Sequence, residues 1–154
     1  MLNIKKNNMA EKVLNKLEII GNDSQVSKVR NFLRGNPLKD GSEQYIDFNK
    51  IIPMPLIIAP EEIIAWRWEN WGNCWGACEQ WLDLPNTIIF TTVFTSVLGL
   101  VKKLSSQFPD IEFKYGFDYP NVIVPTWDLY FIVDGVVIGN WEYDGEDCPP
   151  IFSK

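Results

Sequence analysis

With 154 residues, 46% of them hydrophobic and 22% charged, the chain has the size and balance of one ordinary globular domain with a core of its own. It contains no histidine, which excludes Ser-His-Asp and Cys-His catalysis, zinc sites built on imidazole and imidazole acid–base chemistry. The formal charge of -6 is gathered late: residues 1–50 carry nine Lys/Arg against six Asp/Glu, residues 51–154 five against fourteen, and Asp118 to Asp147 holds seven acids and no base.

Such a balance repels phosphate backbones and argues against direct nucleic-acid binding. The acidic C-terminal third reads either as a solvated surface or as a face for a basic partner. The longest apolar stretch, Ile51 to Ala59, is broken by Pro53 and Pro55 and is too short for a bilayer span, so no membrane association is expected. The N-terminus has Lys5 and Lys6 but no apolar run before Glu11, which predicts no signal peptide and a cytosolic chain. Cys74, Cys78 and Cys148 then read as reduced thiols; their spacing is not CxxC, and no metal or other cofactor is expected.

Residues 1–15 are polar and read as a frayed or helical appendage, with 16–154 as one domain. Leu17, Ile19 and Ile20 predict a strand that Gly21 ends. Asn22 followed by Gln25 is a capping-box pattern, and Val26, Val29, Phe32 and Leu33 recur at helical spacing up to Gly35. Tyr45, Ile46, Phe48 and Ile51 read as a second strand closed by Pro53 and Pro55. After an irregular excursion to Pro85, the β-branched run Thr87–Val93 predicts a central strand. Thr95 or Ser96 is a candidate cap for a second helix, whose Val97, Leu100, Val101, Leu104 and Phe108 form one stripe. Ile111, Phe113, Tyr115 and Phe117 alternate with polar residues as a half-buried strand does. Asp134-Gly135 between two apolar runs is a hairpin signal.

The resulting order is βαββαβ with a C-terminal β-hairpin. It predicts an α+β, ferredoxin-like antiparallel sheet with two helices, Ser24–Arg34 and Ser96–Phe108, on one face and a Trp-rich insertion between strands 2 and 3.

That insertion holds five of the seven tryptophans: Trp66, Trp68, Trp71, Trp75 and Trp81. Each indole offers a large apolar area and one N–H in need of a partner, so the group is either a small core or a ligand platform. Trp71 and Trp75 share a face if the run is helical and read as the structural pair, with Trp66 or Trp68, beside Arg67, as the functional one. Arg67, Glu69 and Asn70 are placed to read the polar edge of a flat ligand stacked on these rings. Asp144, Glu146 and Asp147 form a second candidate partner surface, without the loop spacing of a calcium site. No catalytic residue is assigned, because no phosphate-binding glycine loop or nucleophile elbow is present.

FNKIIPMP (48–55), NWGNCWGA (70–77) and LEIIGNDSQVSKVRNFL (17–33) together resemble the YubB ferredoxin-like domain family, small proteins carried by phages, prophages and plasmids. The resemblance runs from about Asn15 to Tyr119, and Asn70, Trp71, Gly72, Trp75 and Ala77 match its Trp motif. It implies a ferredoxin-like fold and a mobile-element origin. The expectation is a non-enzymatic counter-defence protein that binds and blocks a host defence protein, such as an anti-CRISPR or other anti-immune inhibitor. Two alternatives are a sponge that holds a nucleotide immune signal in a Trp-lined pocket and a metal-dependent nucleotide-processing enzyme. A homodimer is left open.

Overall fold

The computed structural model describes residues 11–119 and 127–142. Their elements are β1 (Lys12–Ile20), α1 (Asp23–Leu33), a short α2 (Phe48–Ile51), a 3-10 turn (Pro60–Glu62) running into α3 (Ile63–Trp71), β2 (Gln80–Leu84), β3 (Thr87–Val93), α4 (Leu98–Gln107), β4 (Glu112–Asp118), β5 (Trp127–Val133) and β6 (Val136–Glu142). The fold is α+β. One six-stranded sheet runs in the order β2-β3-β1-β4-β5-β6, and every neighbouring pair is antiparallel.

Alternation along the strands decides which face is covered. Val13, Leu17 and Ile19 of β1, Ile88 and Phe90 of β3, and Phe113 and Tyr115 of β4 are buried in one cluster with Val26, Val29 and Leu33 of α1 and Leu100, Val101 and Leu104 of α4. Both long helices therefore lie on the same face, and Phe32 meets Phe108 edge-on at 5.2 Å where they approach. The residues between the buried ones on β1 point to the other face. There Lys16 pairs with Asp83 of β2 at 3.3 Å and Lys114 of β4 with Glu18 at 3.7 Å. Lys12 pairs with Glu79 on the same side.

Two local expectations are met by the chemistry that motivated them. Asn22 Oδ1 accepts from Gln25 N, and Gln25 Oε1 accepts from Asn22 N, each at 2.9 Å, so both ends of the capping box are made. Asp134 and Gly135 both take positive φ, 48° and 74°, as the two-residue turn joining right-twisted strands requires.

Four expectations are corrected. The segment Tyr45–Ile51 is not a strand: Phe48 and Ile51 are three apart, and Asp47 caps Asn49 N at 3.0 Å to open the short helix α2. The second strand is Gln80–Leu84, so the Trp-rich segment lies ahead of strand 2 rather than between strands 2 and 3, and Trp81 belongs to β2 itself. The first strand starts at Lys12, which removes Lys12–Asn15 from the supposed appendage; residues 1–10 lie outside the described residues. Neither Thr95 nor Ser96 caps α4. Its N-cap is Val97, whose N–H donates to Tyr115 Oη at 2.9 Å, while the Thr95 hydroxyl is used elsewhere.

Candidate functional site

The Trp-rich segment divides at Trp71, because the helix that begins it cannot continue. Gly72 takes φ 71°, the left-handed conformation that ends α3, and its N–H donates to Trp68 O at 3.2 Å. Trp71 and Trp75 consequently do not share a helix face. Trp71 is buried, donates its indole N–H to Ile52 O at 2.9 Å and packs edge-on against Phe48 and Trp66, with centroids 5.8 and 5.5 Å away. Arg67 lies over the Trp71 ring at 5.6 Å and reaches Cys74 O at 3.4 Å. Asn70 Nδ2 turns back to Trp66 O at 2.9 Å. Trp66, Arg67, Asn70 and Trp71 each have a partner within the fold; Trp71 belongs to the core, and the other three are half-buried beside it.

A buried polar network fixes the turn after Gly72 to the centre of the sheet. Tyr115 Oη donates to Asn15 Oδ1 at 2.5 Å, and Asn15 Nδ2 donates to Thr92 Oγ1 at 3.0 Å. Thr92 Oγ1 donates to Thr95 O at 2.7 Å, and Thr95 Oγ1 to Gly72 O at 2.8 Å. Asn73, fully buried, donates to Val93 O at 2.7 Å and accepts from Trp75 N at 3.1 Å. Fully satisfied buried polar groups specify one arrangement, because each lost partner carries a desolvation cost. This network positions Trp75 against the turn that follows β3.

That turn holds a residue the sequence reading passed over. Phe94 has φ 70°, and Thr95 N donates to Val93 O at 2.9 Å around it, which makes a tight three-residue turn of the strained hand. Its ring is 48% exposed, so burial does not offset the strain. Unlike Asp134, whose positive φ the hairpin requires, Phe94 is a bulky residue in a conformation it rarely adopts. The dipeptide Phe94-Thr95 carries no turn signature, which is why composition gave no warning.

The outward-facing side chains form the other half of the site. Trp68 is 40% and Trp75 49% exposed, and Ile64 lies one helical turn before Trp68. Leu56 and Ile57, ahead of the 3-10 turn, are almost fully exposed. Glu61, Glu62, Ala65 and Glu69 are exposed beside them, and among the described residues no ion pair engages those three carboxylates. Trp81 is exposed on β2, which is an edge strand among the described residues.

The remaining candidates fall elsewhere. Asp144, Glu146 and Asp147 lie outside the described residues. Asp118, the first acid of the C-terminal third, is only 8% exposed; its Oδ1 has no hydrogen-bond partner among the described residues, and burial pushes its carboxyl above the usual range. Cys74 is buried, and burial pushes the Cys78 thiol up, away from the reactive thiolate. A cleft lined by Gln25, Lys28, Gln107, Phe108 and Asp110 encloses about 130 Å³ and takes no residue from the Trp-rich segment. No helix among the described residues is long and apolar enough to cross a membrane. Comparison with protein-family models, with curated proteins and with solved structures finds no match for this chain.

Proposed function

We propose that the chain is a non-enzymatic binding protein whose working surface is the outward side of the Trp-rich segment, and that its partner is another protein. The single observation that carries this reading is the concentration of exposed large apolar side chains between Leu56 and Phe94. Water-facing indoles on a rigid element are what protein interfaces use as anchors. Their support is rigid here, since Trp71 and the Asn15–Tyr115–Asn73 network hold the backbone on either side.

The resemblance to the YubB family supports a phage or mobile-element setting, and in that setting the use is counter-defence, by blocking a host defence protein. The order β2-β3-β1-β4, with α1 and α4 crossing one face, supports a ferredoxin-like unit from β1 to β4, which the β5–β6 hairpin extends. The nucleotide-sponge alternative is less favoured. Its rings would have to enclose the base, yet Trp68 and Trp75 face outward.

The test is capture from host lysate on the immobilised full chain, with mass spectrometry of retained proteins and of small molecules released by heat. A stoichiometric protein supports the reading. A released nucleotide, or metal-dependent turnover of one, replaces it with one of the alternatives.

A further inference from the structure

The exposed face of α3 has a charge pattern that the fold itself does not explain. Glu61 and Glu62 stand at the helix entry, where the positive end of the macrodipole favours acids. Glu69 stands in the last turn of α3, where the dipole opposes it, and no basic residue shares that turn. No ion pair engages Glu69 among the described residues, and Arg67, the one cation on the helix, is drawn over Trp71 and towards Cys74 O. Glu69 is exposed, so its charge remains available at the surface.

Between these carboxylates lie Ile64 and Trp68, both exposed and one turn apart. Along the helix the carboxylates stand before and after this apolar pair and to one side of it, so the face complements an apolar segment bordered by cations. An anionic lipid surface or a phosphate backbone would meet the same carboxylates with like charge.

We infer that the α3 face docks a basic, apolar protein segment, one that places an aliphatic or aromatic side chain on Trp68 and Ile64 and Lys or Arg beside Glu61, Glu62 and Glu69. The inference rests on the proposed binding role and adds the chemistry of the partner. Complementary charges act chiefly on encounter, so association with such a segment slows as salt rises.

The test uses three probes against the full chain: an amphipathic leucine–lysine helical peptide, its leucine–glutamate counterpart, and phosphatidylglycerol vesicles. The proteins are the wild type, Trp68→Ala, the triple variant Glu61→Gln/Glu62→Gln/Glu69→Gln, and a control that removes three acids elsewhere, Glu43→Gln/Asp110→Asn/Glu112→Gln. The expected result is binding of the lysine peptide alone, weakened about tenfold by the α3 triple variant, since three exposed pairs of ordinary strength amount to roughly that factor. The control triple should weaken it much less, and Trp68→Ala should remove most of it. Equal loss in the two triple variants, or comparable binding of the glutamate peptide or the vesicles, overturns the inference. If Trp68→Ala abolishes binding while the α3 triple does not change it, the docking face stands and the basic partner falls. Indifference to both variants removes the docking face as well.

Discussion

Tyr115 Oη donates a 2.5 Å hydrogen bond to Asn15 Oδ1 inside the sheet, on the face that the helices cover. Both residues are fully buried. Tyr115 also accepts from Val97 N, so one hydroxyl joins β4, β1 and the start of α4, and burial raises its pKa far above the ordinary phenol value. Tyr115→Phe would leave the Asn15 carbonyl oxygen and the Val97 N–H without partners. The expected loss is about 1–3 kcal/mol of stability, read by denaturant unfolding. Because the network also positions Asn73, the same variant should loosen the Gly72–Trp75 turn, seen as faster amide exchange of Trp75.

The tryptophans should separate by role. Trp71→Ala removes a buried indole and should cost about 3–5 kcal/mol, whereas Trp68→Ala and Trp75→Ala, with about half of each side chain in water, should each cost clearly less, about 1–2 kcal/mol. Thermal melting of the three variants checks this directly. Equal destabilisation by all three would make the whole segment core and remove the candidate surface.

How much of this was legible beforehand depends on how local each determinant is. The hairpin at Asp134-Gly135 and the Asn22–Gln25 box were readable because the requirement and the residues that meet it lie within four positions of each other. Phe48 and Ile51 resemble strand because they sit in a run of apolar residues, but their three-residue spacing fits one turn of helix. The strand start at Lys12 was hidden by Asn15, a polar residue at an inward position that looks like a break in the pattern. It is tolerated there only because Thr92, distant in sequence, and Tyr115 satisfy it. Asn73 was hidden in the same way. The candidate site was legible as a cluster of tryptophans, but its division into core and surface was not, since it depends on Gly72 ending α3 and on Ile52 O meeting the Trp71 indole.

Asp118 gives a pH dependence of definite sign. Burial raises its folded-state pKa above the ordinary 3.8, so the folded protein holds this proton more tightly than the unfolded chain does. The resulting stability is present below the unfolded pKa and is lost as pH rises through the raised folded value. Asp118→Asn, which cannot ionise, should be more stable than wild type at neutral pH. That gain should shrink towards zero as pH falls through the same window. A difference that stays constant with pH would show that Asp118 does not carry the effect.

Phe94 should respond in opposite directions to two small changes. Phe94→Gly fits φ 70° without a Cβ penalty and should leave stability unchanged or higher. Phe94→Val, β-branched at the same φ, should lower it. Melting temperatures of the pair check this, and a loss with glycine as large as with valine would mean that ring contacts, not backbone strain, dominate at this turn.

The most direct measurement of the central claim is capture from host lysate by the wild-type chain and by Trp68→Ala, run in parallel with their melting curves. The account predicts that a protein retained in stoichiometric amount by the wild type is lost from Trp68→Ala while that variant still melts cooperatively, well above the capture temperature. Equal retention by the two folded chains would contradict it and move the working surface away from α3.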